Sequence, residues 1–419
     1  MNQQSGHNPD SSIRIFDALI LLIFALLLRL LFLPCGWNLS LGGDESNYWQ
    51  AAISIASGKS TKLFIHPPLW GFLLSFVAVL SKNPSYARLF TTLISSLAVP
   101  LVYFIGTRSF SRKVGIIAGV MYSLYPNNIG FSHYLWAETL FALLVLASTY
   151  FFFETIYEKV KSGRFYLSIF LAALGLLAKE FAVILFASFM TLLGTFNFNK
   201  KKRALILATI IFLAPAMLYS TWASVSTRKI IILANAYIKN LNDRMRFSAD
   251  TREEYVRFLL NTLEERFRQI PKTSMRELHN LWQPNSYTVH RLLYAKDSEY
   301  GNYHSRHARG ITYWIVGFYI FVVLTGLTGI CFGDNTPFRL FAISNMVYLS
   351  LLSILFFLVS RYRIPFIFIF ILYSAAVISD PRAILKKLRC WRRVIVWAGL
   401  VLLFIHIVVE KWPNLGYLG

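Results

Sequence analysis

Long apolar segments recur along almost the whole chain, separated by short polar turns. Segments at about 14–33, 87–107, 114–131, 137–157, 165–178, 180–196, 204–222, 311–331, 340–359, 364–379 and 394–410 are long enough to cross a bilayer singly or as paired short helices. The pattern predicts an all-α polytopic membrane protein with about 11 (10–13) transmembrane helices and further helices lying beside the membrane on its outer face. Residues 67–81 are apolar but fall short of the roughly 17–25 residues that a span needs, so an interfacial or re-entrant helix is expected there.

The polar turns alternate in character. Arg108 to Lys113, Glu158 to Arg164, Asn199 to Arg203 and Pro381 to Arg393 are basic, and with 67–81 kept out of the count they all fall on one side. The positive-inside rule makes that side cytoplasmic, with the N-terminus inside and the C-terminus outside. The expected divisions are a disordered cytoplasmic tail at 1–13, a membrane half at 14–222 with its first outer loop at 34–86, an outer region at 223–310, and C-terminal membrane helices at 311–419. Within 223–310, Thr251-Arg252-Glu253-Glu254 reads as a capping box, and Tyr255, Phe258, Leu259, Leu263, Phe267 and Ile270 form a helical stripe. An amphipathic helix over 251–270, stopped by Pro271, is predicted.

Composition agrees: 56% of the 419 residues are hydrophobic, too many for a soluble domain. The net charge of +22 does not indicate nucleic acid, because the basic clusters are the turns between spans. Cys35, Cys331 and Cys390 are too far apart to form a disulfide framework or a cysteine metal site. Pro34-Cys35-Gly36-Trp37 after the first apolar segment does not resemble a signal-peptide cleavage site, and no Walker or dinucleotide fingerprint occurs.

Chemistry concentrates in Gly42–Leu69, the most polar stretch of the first hundred residues apart from the terminus. Asp44 and Glu45 open a short helix with Tyr48, Ala51, Ala52 and Ile55 on one face, which Gly58 is suited to end. Asp44 either caps that helix or acts as a general base. His66-Pro67-Pro68-Leu69 is a stiff entry into the next segment, and Glu138 either caps a span or brings a second acid to Asp44. Outer cations follow: Arg88, Lys179, His290, Arg291, Arg361 and Arg363. Lys179-Glu180 reads equally well as a simple ion pair, whereas Arg361 and Arg363, on the side where positive charge is depleted, point to an anionic ligand. Carboxylates beside cations at the outer face suit glycosyl transfer: cations hold a departing phosphate while a carboxylate takes the proton of the attacking hydroxyl.

The order Gly-Asp-Glu, Tyr48, Gly58, His66-Pro67-Pro68-Leu69, then Arg88, Glu138 and Arg361-Tyr362-Arg363-Ile364-Pro365, resembles the lipid-linked-sugar glycosyltransferases of GT-C type, among them the protein O-mannosyltransferases and the lipid A aminoarabinose transferases. The resemblance implies a polyprenyl-phosphate sugar as donor, transfer to a lipid, glycan or protein acceptor at the outer face of a membrane, expected to be the bacterial plasma membrane, and inversion at the anomeric carbon. It implies Asp44 as the catalytic carboxylate with Glu45 beside it. His66 stands where many members have Lys, and Glu138 where many have Asp. Arg88, Lys179, Arg361 and Arg363 are the expected phosphate-binding set. With two well-placed acids, no obligatory metal is expected, although some relatives use a divalent ion. Two rival classes are a transporter or lipid flippase, which would show polar or broken helices at the membrane midplane, and a lipid-linked polysaccharide polymerase or ligase, which the early Asp-Glu loop fits poorly.

Overall fold

A computed structural model describes residues 9–58, 66–158, 162–195, 201–227, 252–285, 287–294, 309–334, 336–356 and 358–411. These residues are helical throughout, apart from turns and one 3-10 segment, and no strand occurs among them. The membrane half begins with α1 (Pro9–Trp37), α2 (Asp44–Ala56), α3 (Pro68–Leu80), α4 (Pro84–Ser109), α5 (Arg112–Leu124), α6 (Pro126–Phe131), α7 (Glu138–Glu158), α8 (Ser162–Ala178) and α9 (Ala182–Thr195). Lys201–Thr227 follows, then Arg252–Trp282, Tyr287–Tyr294, Arg309–Phe332, Thr336–Phe356, the 3-10 turn Ser360–Phe366, Ile367–Ser379, Pro381–Lys387 and Trp391–Lys411.

Eight of the described helices are long and apolar enough to cross a membrane, and α3, α8 and α9 are shorter apolar helices. At 13 residues α3 is about 20 Å long, short of the hydrocarbon thickness, as its sequence predicts. Its Phe72, Phe76, Val79 and Leu80 are exposed, while Trp70 is fully buried and donates to the Leu135 carbonyl at 2.9 Å.

Three expectations change. The span expected at 114–131 is two helices, because Tyr125 is extended and Pro126 opens α6; proline lacks an N–H and suits a first helical turn better than an interior one. Pro271 does not stop its helix, which continues to Trp282. An interior proline costs about 3 kcal/mol, but the helix's last turns, with Glu277, His279 and Leu281 buried, are held: Ser353 Oγ donates to the Glu277 carbonyl at 2.9 Å, and the Arg363 guanidinium donates to the Leu281 carbonyl. Finally, α1 already begins at Pro9, so Pro9–Ile13 of the expected tail are helical. Residues 1–8, Thr251 and the side chains of Tyr255, Phe258, Leu259, Leu263 and Phe267 lie outside the described residues.

The two ends of the bundle are chemically distinct. At one, Arg112 grips Asp17 in a fork at 2.7 and 2.9 Å, and Lys113 donates to the Ser379 carbonyl at 3.0 Å. At the other, Arg88 Nη2 donates to the Leu39 carbonyl at 2.6 Å, Tyr134 Oη to the Thr288 carbonyl at 2.8 Å, and Asn285 Nδ2 to Ser360 Oγ at 2.7 Å. Between them lies an aromatic core in which Phe152 stacks on Phe189 at 3.9 Å and Phe153 meets Phe338 and Phe341. Tight helix contact is achieved with glycine: a Cβ on Gly329 would come within 2.7 Å of the Tyr373 carbonyl oxygen.

Candidate active site

α2 is set by a glycine at each end. Gly43 takes φ +54° at its start and Gly58 φ +67° beyond its end, conformations that L side chains resist. Asp44 and Glu45 therefore occupy the first turn, and neither caps it with its side chain. Successive helical residues point about 100° apart, so these adjacent carboxylates cannot share one site. Asp44 turns to a cluster of charged side chains; Glu45 turns into the protein.

Asp44 Oδ2 pairs with Arg361 Nη2 at 2.9 Å, and its other oxygen lies 3.7 Å from His66 Nε2. Arg361 Nε in turn lies 3.6 Å from Glu138 Oε1, which pairs with Lys179 Nζ at 3.1 Å. Five parts of the chain deliver these groups: α2, the His66-Pro67 stretch before α3, the start of α7, the turn between α8 and α9, and the 3-10 turn. Aromatic rings wall the cluster. The Arg361 guanidinium lies 5.5 Å from the Trp136 ring centre and 5.2 Å from that of Tyr362, Lys179 lies 5.4 Å from Tyr362, and Tyr48 stacks on His66 at 4.6 Å. The Asp44 and Arg361 side chains are each 26% exposed, against 2% for Glu138 and 7% for Lys179. The upper pair thus meets solvent and the lower pair forms the floor.

Burial alone would raise the Asp44 carboxyl, but Arg361, Lys179 and His66 together outweigh it and hold Asp44 below the usual carboxylate range. Burial pushes His66 down to about 4 against the pull of Asp44, so its imidazole is neutral at pH 7. Burial opposes the charge on Lys179 as well, yet Glu138 raises its pKa overall.

Glu45 is completely buried. It accepts from Arg291 Nη1 at 2.8 Å, the Leu135 N–H at 3.1 Å and the Gly42 N–H at 3.3 Å, with Arg88 Nη2 at 3.8 Å. Arg291 also donates to the Ser40 carbonyl at 2.7 Å and lies 4.9 Å from the Tyr134 ring centre. This is a packed strut that fastens α2 to the helix Tyr287–Tyr294. Arg363 is also apart from Arg361. In a 3-10 turn residues two apart face different ways, and Arg363 is buried against Tyr319 at 4.2 Å. The eight residues expected from sequence thus divide: Asp44, His66, Glu138, Lys179 and Arg361 meet; Glu45 and Arg88 form the strut; Arg363 stands alone. His290 pairs with Thr312 at 2.6 Å, outside the cluster.

The sequence assigns no role to the Tyr362 ring and singles out neither Trp136 nor Arg29. Arg29 is wholly buried in α1 and donates to Ser95 Oγ at 2.8 Å and the Ala25 carbonyl at 3.1 Å. A charge inside so apolar a segment is its own signal.

Residues 65–222 match the family model described as dolichyl-phosphate-mannose-protein mannosyltransferase. His66, Arg88, Glu138 and Lys179 fall inside the matched region; Asp44, Glu45, Arg361 and Arg363 fall outside it. No curated protein matches the chain. Two solved structures of the Archaeoglobus fulgidus oligosaccharyltransferase resemble it. One, tethered to an acceptor peptide containing the NVT sequon, has a TM-score of 0.50 at 14% identity over 96% of this chain and 55% of that one. The other, AglB with an inhibitory peptide and a dolichol-phosphate, has a TM-score of 0.51 at 14% identity over 98% of this chain and 56% of that one. The chain thus spans about half the length of the solved structures it matches. The match over residues 65–222 bears out the resemblance read from the sequence, and the fold is similar to that of the archaeal oligosaccharyltransferase.

Proposed function

We propose that the chain transfers a sugar from a polyprenyl-phosphate carrier to a hydroxyl of a lipid, glycan or protein acceptor at the outer face of the membrane. The observation that carries this reading is the partly exposed Asp44–Arg361 pair beside a buried Glu138–Lys179 pair. An ionised carboxylate and a guanidinium paired with it match the two ends of the reaction. The family match and the fold of the structural neighbours support the same chemistry. The outer face is supported by the segregation of Arg112, Lys113 and the basic 381–393 turn to the opposite end.

In this reading the donor phosphate competes with Asp44 for Arg361. The guanidinium then binds phosphate in its preferred forked manner, and Asp44 is released to accept a proton. The acceptor oxygen attacks the anomeric carbon from the face opposite the phosphate, the C–O bond to phosphate breaks, and the proton passes to Asp44. One displacement inverts the anomeric centre. Negative charge gathers on the departing phosphate, where Arg361 and Lys179 oppose it. Trp136 and Tyr362 line the guanidinium, and neutral His66, which pairs with Asn47 at 3.4 Å, adds no cation to compete for phosphate. The carboxylates of Asp44 and Glu138 each already face a cation, which supports a reaction with no obligatory metal at this cluster.

The test uses protein reconstituted in lipid, given radiolabelled polyprenyl-phosphate sugars and a membrane extract of acceptors. Transfer is expected with inverted product configuration and a loss of about 10²–10⁴ in rate for Asp44→Asn. Movement of labelled lipid across the bilayer without any transfer would instead establish the transporter reading.

A further inference from the structure

A second group of chemically capable side chains lies on elements that the proposed reaction does not use. His279 is on the buried last turns of Arg252–Trp282; His406 and Glu410 are on the C-terminal helix Trp391–Lys411. His279 Nδ1 lies 2.6 Å from Glu410 Oε2, and His406 Nε2 lies 3.8 Å from the same oxygen. The two imidazoles meet edge to face at 5.2 Å. One nitrogen from each histidine and a carboxylate oxygen fall within 4.8 Å of one another.

We propose that His279, His406 and Glu410 form a binding site for a divalent transition-metal ion of the zinc class. Two imidazoles and one carboxylate are a common zinc donor set that leaves a fourth position for water. Bonds of about 2.0–2.1 Å in a tetrahedron set ligand atoms about 3.3 Å apart. The separations of 2.6 and 3.8 Å bracket that value. Small rotations suffice to reach it, because Glu410 and His406 are exposed at 47% and 63% and free to turn, while buried His279 is a fixed anchor. The spacing of His406 and Glu410 puts both on one face of their helix.

The ion would act as a clasp. The C-terminal helix is largely turned to lipid: Ile395, Leu402 and Val409 are each more than half exposed. It is held along its length by apolar contacts such as Phe404 against Tyr319, and by the Trp397 Nε1 bond to Thr328 Oγ1 at 3.0 Å. Ligation at its last turns would fasten it to Arg252–Trp282, whose Leu281 carbonyl receives Arg363 and whose Trp282 carbonyl receives Tyr319. A bound ion therefore favours the folded bundle by mass action.

The experiment uses tag-free, full-length protein in lipid nanodiscs, stripped with chelator. Cobalt(II) is titrated in and followed by its visible absorption, then displaced with zinc, and thermal unfolding is measured with and without zinc. One ion per chain is expected, with a tetrahedral cobalt spectrum and a zinc-dependent rise in Tm. His406→Ala and Glu410→Gln, both at exposed positions, should each weaken binding at least tenfold and abolish the rise. The absence of saturable binding, or binding equally tight in both variants, would overturn the proposal.

Discussion

Asp44 and Glu45 are neighbours with opposite roles, and substitution should separate them. Removing the Glu45 charge strands Arg88 and Arg291, both buried, and breaking such a pairing costs about 3–5 kcal/mol. Glu45→Gln should therefore lower stability sharply in a denaturation experiment, whereas Asp44→Asn, at a pair that is about a quarter exposed, should lower it much less. His66 gives a second prediction. Its folded pKa of about 4 lies below the unfolded 6.5, so the unfolded chain binds the extra proton between those values. The His66 contribution to stability is complete above pH 6.5 and declines by about 3 kcal/mol as pH falls toward 4. Asp44 works in the same sense at lower pH, since its depressed carboxyl stabilises the fold above the ordinary carboxylate range and ceases to do so on protonation. Transfer should thus show no inflection near pH 6.5; one that His66→Gln removes would contradict a neutral imidazole. Position along the chain was legible from sequence at this scale, because charges beside apolar spans stand out. Direction was not, because the orientation of neighbouring side chains is settled by what packs against them.

At the scale of the element, α2 carries the account. Gly43, at φ +54° and ψ −123°, sets the angle at which Asp44 and Glu45 leave the loop. Gly43→Ala imposes a strain of about 1–3 kcal/mol there. The expected result is a loss of transfer larger than the loss of stability, read as kcat against Tm, because the shift displaces Asp44 from Arg361. The same reasoning explains where sequence reading of the elements succeeded and failed. Span lengths and the glycine stop at Gly58 depend on local composition and were visible. The break at Tyr125-Pro126 and the passage of a helix through Pro271 were not. One proline sits where a helix could start afresh, and the other lies in a helix whose last turns, from Glu277, are anchored in the bundle. Local proline chemistry is the same in both, and only tertiary burial distinguishes them.

At the scale of the molecule, the site lies at one end of the bundle and the paired basic turns at the other. Cys35 and Cys390 are both exposed, the first beside the site end of α1 and the second within the basic 381–393 turn. In sealed, right-side-out vesicles an impermeant thiol reagent should label Cys35 and spare Cys390; the reverse pattern would put the Asp44–Arg361 cluster on the cytoplasmic side. The measurement that bears most directly on the central claim pairs donor binding with transfer in one preparation of Asp44→Asn. Loss of the Asp44 charge leaves Arg361 free for phosphate. The account therefore predicts that the variant binds polyprenyl-phosphate sugar at least as tightly as the parent and transfers it at less than about a hundredth of the parental rate. Transfer at the parental rate, or a loss of donor binding in step with transfer, would contradict the assignment of Asp44 as the base and Arg361 as the phosphate's partner.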